Sequence, residues 1–327
     1  MPRLLLTGAN GFVGKFLIDR ARRAGHQVIA LTGHSPLAEI AADEQITADI
    51  RDPQDLARAV AQAQPTHIVH LAAISHVPTS FREPLRTWQT NVMGSMNLLE
   101  AIRLHVPDAF VLFASSSEVY GAAFKSGQPV DEQTRCEPLN PYAASKLAAE
   151  SAFQEYFRQG IKGVIARPFN HIGAQQSPDF VTASFARQIA LIESGQQVPV
   201  LKVGNLEASR DFLDVQDVCS AYLAVLTLAG SRDYPRCMNI ASGQPHKISD
   251  VLGLLLSLST AKIRVEVDSE KLRPSDIQIA AGDNQRLREA TGWKPVIALE
   301  QTLHDLLDYW RLQVSSTTNR QPRINAR

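Results

Sequence analysis

Cysteine is scarce in this sequence, and no charge sign dominates. The three cysteines, Cys136, Cys219 and Cys237, are too widely spaced for a metal-ligand motif, and they favour a reducing compartment with buried or inert thiols. Lys and Arg number 33, as do Asp and Glu, so the formal net charge is zero and gives no reason to expect nucleic acid as a partner. We predict no metal site and interpret four histidines as structural, namely His67, His70, His105 and His246.

Long apolar runs are also missing. The most apolar stretch, residues 251–258, is far too short to span a bilayer. Residues 1–6 show no signal-peptide pattern, so we expect a soluble, cytoplasmic protein without a membrane partner. A length of 327 residues suits two domains, or one elaborated domain, with an ample core.

Apolar runs and helix-like segments alternate in the first half of the chain. Strands are predicted at residues 3–7, 27–32, 46–50, 67–71, 109–114 and 161–167, with helical segments between them. This alternation predicts an α/β fold, a doubly wound parallel sheet of the Rossmann type. The pattern then loosens, and we interpret residues 205–214 as a polar loop.

A glycine-rich turn joins the first predicted strand to the first helix. Gly8, Gly11 and Gly14 are spaced Gly-x-x-Gly-x-x-Gly, which differs from the common dinucleotide fingerprint Gly-x-Gly-x-x-Gly. Such a turn lets backbone N–H groups approach a pyrophosphate at the helix N-terminus. An ordinary glycine turn is the alternative, but the position between strand and helix favours nucleotide binding.

The second strand lacks the acid that usually selects NAD(H). About 20 residues after the glycines, where that acid is expected, the sequence has Thr32-Gly33-His34-Ser35. No carboxylate there would repel a 2′-phosphate, and no arginine would bind one. His34 and Ser35 could contact a phosphate or be plain loop residues. The sequence therefore favours NADP(H) slightly and leaves NAD(H) open.

Two acids and two small residues follow the next strands. Asp49 could accept a hydrogen bond from the adenine amino group, whereas Asp52 suits the N-cap of the following helix, so one acid is expected to be structural. Ala72 and Ala73 leave room for a ligand at the carboxyl edge of the sheet.

The most informative pair is Tyr142 and Lys146, four residues apart in a helix-forming stretch. At that spacing both side chains project from one helix face. The ammonium would lower the pKa of the phenol and suit it to proton transfer. A chance pair on an exposed helix is the alternative for such a bare motif. A serine cluster at residues 115–117, which could polarise a carbonyl or simply form a turn, ends a strand at the same edge.

Together these features resemble the extended short-chain dehydrogenase/reductase family. The resemblance is carried by Gly8, Gly11, Gly14, Asp49, residues 71–73, Ser116, Tyr142 and Lys146. Residues 71–77, 167–171 and 204–211 are similar to the GDP-mannose branch of that family. The resemblance implies reduction of the C4 keto group of GDP-4-dehydro-6-deoxy-D-mannose, a GDP-linked 4-keto-6-deoxyhexose, to GDP-D-rhamnose with NAD(P)H. A 4,6-dehydratase, a 4-epimerase and a catalytically silent nucleotide-sugar sensor are the alternatives.

The resemblance also implies roles for individual residues. Tyr142 would be the general acid, Lys146 would tune it and hold the nicotinamide ribose, Ser116 would be the catalytic hydroxyl, and Glu118 matches an acid that dehydratases use. Implied cofactor contacts are Gly8, Asn10, Gly11, Phe12, Val13, Gly14, Asp49, Ile50, Leu71, Ala72, Ala73, Asn91, Tyr142, Lys146, Pro168 and Phe169. Implied substrate contacts are Ser75, His76, Ser116, Asn170, Arg187, Lys202, Arg210 and Arg273.

Two arginines carry the expectation for the substrate pyrophosphate. Arg210 and Arg273 would pair with it through charge-assisted hydrogen bonds. The alternative for each is a surface ion pair, with Asp211 and Asp276 respectively. Residues 33–45 are short and lack arginine, which favours a reductase over a dehydratase with captive cofactor, although Glu118 keeps the dehydratase open.

The resemblance finally implies a domain division and an assembly. Residues 1–170 would bind NAD(P), residues 171–314 mainly the sugar nucleotide, with about 212–240 returning to the first domain, and 315–327 would be a disordered tail. Ala152, Phe153, Tyr156 and Phe157 are expected to be more than one sheet face can bury. We therefore expect a homodimer through a four-helix bundle, as in family members.

Overall fold

The chain forms one large parallel sheet and a smaller mixed unit. The computed structural model describes residues 1–33, 40–271 and 277–318. The described strands are β1 (Arg3–Thr7), β2 (Gln27–Thr32), β3 (Glu44–Thr47), β4 (His67–His70), β5 (Phe110–Ala114), β6 (Lys162–Pro168), β7 (Asn170–Ile172), β8 (Val200–Val203), β9 (Ser209–Asp214), β10 (Cys237–Ile240), β11 (Pro245–Lys247), β12 (Arg264–Val267) and β13 (Ile279–Ala280). The described α-helices are α1 (Phe12–Arg23), α2 (Pro53–Ala63), α3 (Val77–Arg82), α4 (Pro84–Trp88), α5 (Gly94–His105), α6 (Pro141–Arg158), α7 (Val181–Glu193), α8 (Val215–Leu226), α9 (Ile248–Ser257), α10 (Gln285–Thr291) and α11 (Leu299–Thr318).

The large sheet has seven strands in the order β10-β6-β5-β4-β1-β2-β3, all parallel. Its central strands are apolar and buried, as expected when helices cover both faces of a parallel sheet. One face packs on α1 and α8, and the other on α2, α5 and α6. The predicted α/β fold class is confirmed.

The smaller unit lies after β6. In it, β9 pairs with β7, β11 and β13, while β8 pairs with β12, and α7, α9 and α11 form its apolar core. Residues 209–214 are therefore strand β9 and not the predicted loop. The polar sequence is compatible with a strand because the buried Asp211 carboxylate accepts hydrogen bonds from the backbone N–H groups of Ser242 and Gly243, at 2.8 and 2.9 Å.

The C-terminal helix is longer than expected. Helix α11 continues to Thr318, so residues 315–318 are helical and not part of a disordered tail. Residues 319–327, the loop positions His34 and Ser35, and Arg273 with its proposed partner Asp276 lie outside the described residues. Within the described ranges, no helix is long and apolar enough to cross a membrane.

Candidate active site

A cavity of about 540 Å³ opens at the carboxyl edge of the large sheet. Most of the expected site residues line it: Gly8, Asn10, Gly11, Phe12, Val13, Gly14, Asp49, Ile50, Leu71, Ala72, Ala73, Ser75, Ser116, Glu118, Tyr142, Lys146, Pro168, Phe169 and Asn170. Residues from β1, β4, β5 and β6 thus meet in one space, since parallel strands end at the same edge.

The glycine turn is shaped to hold a ligand against the backbone. Gly8 has φ +69°, and a Cβ on it would lie 2.8 Å from the Ala72 nitrogen. A Cβ on Gly14 would lie 2.6 Å from the carbonyl oxygens of Gly8 and Ala9. Gly11 is the N-cap of α1 and supplies no side-chain cap, so the first-turn N–H groups of the helix stay available for an anion. This turn therefore fits the pyrophosphate of a dinucleotide.

The two acids after the third strand, Asp49 and Asp52, have separate structural settings. Asp52 caps α2, with Oδ1 accepting from the N–H groups of Gln54 and Asp55 at 2.9 and 3.0 Å, which confirms the N-cap alternative for this acid. Asp49 lines the cavity and forms an ion pair with Arg51, whose Nη2 lies 2.6 Å from Asp49 Oδ2. An adenine contact by Asp49 must therefore share the carboxylate with Arg51.

Asn91 does not line the cavity, although it was expected at the cofactor. Its buried side chain accepts from the Ile74 N–H at 2.8 Å and donates to the Ile74 carbonyl at 3.1 Å. It also donates to Ser145 Oγ at 2.9 Å. With its side-chain amide engaged by the protein, Asn91 fixes the loop after β4 to helix α6, so its effect on a cofactor is indirect.

Helix α6 carries Tyr142 and Lys146 on the face that meets the sheet. Asn140 caps the helix by accepting from the Ala143 N–H at 2.8 Å, and Pro141 occupies its first position. Both Tyr142 and Lys146 are buried against the cavity. Ser116, just after β5, lies close enough to the Tyr142 phenol to oppose the rise of its pKa. The expected catalytic hydroxyl and phenol are therefore neighbours in the cavity.

Burial, rather than the neighbouring charge, dominates the titration of this pair. It raises the pKa of Tyr142 to about 12, with Ser116 opposing and Glu118 adding to the rise. It lowers the pKa of Lys146 to about 7, although Glu150 opposes this shift. Lys146 Nζ lies 4.3 Å from the centre of the Phe113 ring. The expected fall in the Tyr142 pKa is wrong for the cofactor-free protein, because desolvation penalises both charged forms.

A buried ion pair supports the strand ends beneath the cavity. Glu150, one turn after Lys146, pairs with Arg167 at 2.6 Å and accepts from Ser115 Oγ at 2.5 Å. Arg167 also donates to the Tyr120 hydroxyl at 3.0 Å. The side chains of Glu150 and Arg167 are 0% and 5% exposed. This network joins α6 to the ends of β5 and β6, which carry Ser116 and Pro168.

Glu118 lines the cavity, whereas Arg210 lies outside the lining but near enough to Glu118 to interact with its charge. Glu118 accepts from Asn140 Nδ2 at 3.0 Å. Arg210 donates to the Ser209 carbonyl at 2.8 Å, while burial lowers its pKa and Glu118 raises it. Since the Asp211 carboxylate binds backbone N–H groups, no ion pair between Arg210 and Asp211 forms, and that alternative is wrong.

Four of the expected substrate contacts that the structure describes lie outside the cavity lining, namely Arg210 and three others. His76 Nδ1 is 2.9 Å from Thr79 Oγ1. Arg187 is exposed on α7, with its guanidinium 6.0 Å from the Trp310 ring centre. Lys202 is exposed on β8. We therefore do not assign these three residues to the cavity.

Several lining residues were missed from the sequence. They are Leu31, Gly33, Ala48, Val77, Thr90, Ala114, Ser115, Ser117, His171, Ile172, Gln176, Phe180, Val181, Thr182, Phe212 and Tyr222. His171 had a signal, because it ends the motif at residues 167–171. Tyr222 had none, since it reads as an ordinary core residue of α8. Among the described residues, no group of three or more His, Cys, Asp or Glu side chains is arranged to hold a metal ion.

Comparison with known proteins adds the family. The sequence profile of the family described as GDP-mannose 4,6 dehydratase matches residues 5–306. The chain belongs to the GDP-mannose 4,6 dehydratase family. The resemblance to the GDP-mannose branch is thereby confirmed.

Relatives within this family carry both reductase and dehydratase names. The GDP-6-deoxy-D-mannose reductase of Pseudomonas aeruginosa is 38% identical over 313 residues, covering 95% of this chain and 98% of the relative. GDP-mannose 4,6 dehydratase 2 of Arabidopsis thaliana is 30% identical over 330 residues, covering 93% and 85%. The structure of RMD from Pseudomonas aeruginosa complexed with NADPH matches with a TM-score of 0.81 and 36% identity, covering 96% of this chain and 100% of that one.

Proposed function

We propose that this protein is an NAD(P)H-dependent oxidoreductase that reduces the C4 keto group of GDP-4-dehydro-6-deoxy-D-mannose to give GDP-D-rhamnose. The observation that carries the proposal is the meeting of Ser116, Tyr142 and Lys146 with the glycine turn in one cavity. The identity with a named GDP-6-deoxy-D-mannose reductase supports the choice of substrate.

The side chains of the cavity suit the proton chemistry of a ketone reduction. Bound NAD(P)H supplies the hydride. Tyr142 stays protonated at neutral pH because its pKa is about 12, so it acts as the general acid that gives its proton to the forming alkoxide. Ser116, which lies beside that phenol in the cavity, stabilises the same oxygen as it gains charge.

The cofactor would lie between the glycine turn and α6. Gly8–Gly14 would hold its pyrophosphate, Asp49 and Ile50 its adenosine half, and Pro168 and Phe169 its nicotinamide. Lys146 would hold the nicotinamide ribose. We favour NADP(H), because the second strand carries no acid against a 2′-phosphate and a related structure contains NADPH.

The sugar nucleotide would enter from the side of Glu118 and Asn170. Arg210 is half-buried, and no described carboxylate pairs with it, which suits a site for the substrate pyrophosphate. Arg273 is proposed as the second pyrophosphate ligand. Residues 1–170, with about 212–240, would form the dinucleotide domain, and residues 171–314 mainly the sugar-nucleotide domain.

The decisive experiment supplies GDP-4-keto-6-deoxymannose and NADPH and identifies the product by NMR. We expect the reaction to consume one NADPH per sugar and to give a GDP-6-deoxyhexose. The proton coupling constants of this product show whether its C4 hydroxyl is axial or equatorial. The C4 configuration of rhamnose supports the proposal, and the other configuration assigns a different product sugar. Retained NADPH binding without turnover would point to a nucleotide-sugar sensor.

A dehydratase is the second candidate, and Glu118 favours it. This acid lines the cavity and is held by Asn140, as a base that removes a proton next to a carbonyl would need to be. Incubation with GDP-mannose and a catalytic amount of NADP⁺ separates the two activities. Loss of water with no net use of NAD(P)H would establish the dehydratase, and Glu118→Gln would then abolish turnover, whereas a reductase should suffer a milder effect.

We also propose a cytoplasmic homodimer. Phe153, Tyr156 and Phe157 are buried within the single chain, so they do not form an exposed subunit interface. Helices α3 to α5 nevertheless expose large apolar side chains, namely Phe81, Leu85, Trp88, Met93 and Leu104. This surface lies beside α6, and two copies joined there would form the expected four-helix bundle.

A further inference from the structure

Tyr222 is a buried tyrosine on α8 that opens onto the active-site cavity. Only 1% of the residue is exposed, yet it is part of the cavity lining. Its helix packs on α1, and one turn earlier Cys219 Sγ contacts the Val13 carbonyl oxygen at 3.8 Å. Tyr222 thus sits beside the first turn of α1, at the end of the cavity formed by the glycine turn.

The hydroxyl of Tyr222 differs from those of the buried tyrosines Tyr120 and Tyr156. Tyr120 donates to Asn239 Oδ1 at 2.7 Å and accepts from Arg167, and Tyr156 donates to Glu100. No described residue forms a hydrogen bond with the Tyr222 hydroxyl.

The oxygen of Tyr222 is nevertheless open to the cavity. In the described part of the chain, four polar side-chain atoms are shielded from solvent and have no hydrogen-bond partner, and the Tyr222 oxygen is not one of them. Since this oxygen also lacks a partner, it is accessible from the cavity. Buried hydroxyls are normally satisfied, so one that opens onto a ligand cavity is satisfied by what enters that cavity.

The surroundings indicate which ligand that is. Val13 and Leu71, which line the glycine-turn end, pack against the apolar cluster that contains Tyr222. Burial, then Cys219, then the nearby Tyr142 raise the pKa of Tyr222 above its usual range, so the hydroxyl is a neutral donor. Tyr222 therefore lies near both the glycine turn and Tyr142.

We propose that Tyr222 is a further cofactor-binding residue, whose hydroxyl hydrogen-bonds the nicotinamide half of the bound dinucleotide. This inference rests on the proposed function, because it assumes that NAD(P)H occupies the cavity. Its contribution is to cofactor affinity rather than to proton transfer.

The test compares Tyr222→Phe with the wild type in two measurements, the NADPH Kd by calorimetry and Tm with and without NADPH. Removing a hydroxyl without a protein partner should leave Tm of the cofactor-free protein unchanged or higher. The NADPH Kd should rise by about fivefold to tenfold, the loss of one hydrogen bond, and the Tm gain from NADPH should shrink.

Tyr120→Phe is the matched control, since its hydroxyl is satisfied within the protein. The Tyr120→Phe variant should have a Tm lowered equally with and without NADPH, and its NADPH Kd should stay near the wild-type value. A lower cofactor-free Tm for Tyr222→Phe with an unchanged Kd overturns the inference and makes the hydroxyl structural. An unchanged Kd with a raised KM for the GDP-sugar overturns it in favour of a substrate contact. Wild-type protein that binds neither NADPH nor NADH would instead refute the proposed function itself.

Discussion

The Tyr142 hydroxyl is one oxygen atom with one proposed task. Tyr142→Phe removes the transferable proton and keeps the ring that packs against the cavity. Because positioned acid catalysis contributes at least about 10²-fold, we expect kcat for the keto sugar to fall by that factor or more. Steady-state NADPH oxidation measures the fall. Turnover near the wild-type rate would show that Tyr142 is not the general acid.

Lys146 should leave a mark on the pH dependence of stability in the cofactor-free protein. Its folded pKa of about 7 lies below the unfolded value of about 10.4. Between these values the unfolded chain binds more protons, so this side chain makes stability rise with pH, by up to about 1.4 kcal/mol per pH unit. Below about pH 7 both states are protonated and the contribution is constant.

Lys146→Met isolates that contribution from other titrating groups. The free energy of unfolding of the wild type, minus that of Lys146→Met, should increase as pH rises from about 7 to about 10. Urea unfolding at several pH values gives this difference. A difference that does not change with pH would mean that Lys146 titrates normally in the folded protein.

Arg210 tests the proposed substrate end of the cavity. Arg210→Ala removes charge-assisted contacts that are worth about 1.5–3 kcal/mol, so KM for the GDP-sugar should rise by roughly tenfold to a hundredfold. The pyrophosphate is remote from C4, so kcat should change little. The matched control is Arg187→Ala, because Arg187 is exposed on α7 whereas Arg210 is half-buried. Weaker NADPH binding with an unchanged sugar KM would show that the two sites have been exchanged.

At the scale of elements, the Glu150–Arg167 pair joins α6 to the ends of β5 and β6. Glu150→Gln leaves the Arg167 charge buried without a counterion, which we expect to cost about 3–5 kcal/mol of unfolding free energy. The double variant Glu150→Gln/Arg167→Met removes both charges and should recover part of that loss. Chemical denaturation provides both values.

The control for this pair is the exposed ion pair of Glu155 and Arg158 on the same helix. Arg158→Ala should barely change stability, because water screens both charges. If Glu150→Gln and Arg158→Ala had equal effects, the buried pair would not be what holds these three elements together.

The sequence predicted six of the seven strands of the large sheet, but it predicted neither the seventh, β10, nor β9 of the smaller unit. Apolar runs identify its inner strands because both faces of that sheet are covered. Strand β9 begins Ser209-Arg210-Asp211, which reads as a loop, and becomes a strand only because β7, β11 and β13 supply its hydrogen bonds. Those partners come from distant parts of the chain, and no local pattern contains them.

The same limit applies to individual side chains in the site. The spacing of Tyr142 and Lys146 predicted that they share a helix face, whereas their burial depends on the whole fold and reverses the expected direction of the Tyr142 pKa. Asn91 was assigned to the cofactor by resemblance, and the structure shows it bound to Ile74 and Ser145. The place of Tyr222 in the cavity lining could not be predicted, because it depends on the packing of α8 against α1.

At the scale of the whole molecule, the exposed apolar surface of α3 to α5 predicts a dimer. We expect light scattering to give twice the chain mass for the wild type. Leu85→Glu/Met93→Glu places two charges on this surface and should yield the single-chain mass with the fold retained. Leu312→Glu, on the exposed side of α11, is the control and should leave the dimer intact. A wild-type protein with the single-chain mass would contradict the proposed bundle.

The position of strand β10 affects how the chain folds while it is being synthesised. It lies at the end of the large sheet, beside β6, and the whole segment from β7 through α8 separates the two strands in the chain. A nascent chain that has not yet released residues 237–240 from the ribosome therefore exposes the backbone edge of β6, where another strand can add. Chains that end before residue 237 never pair the edge of β6. We therefore expect such truncated chains to aggregate, whereas in the full chain β10 pairs with β6 and covers this edge.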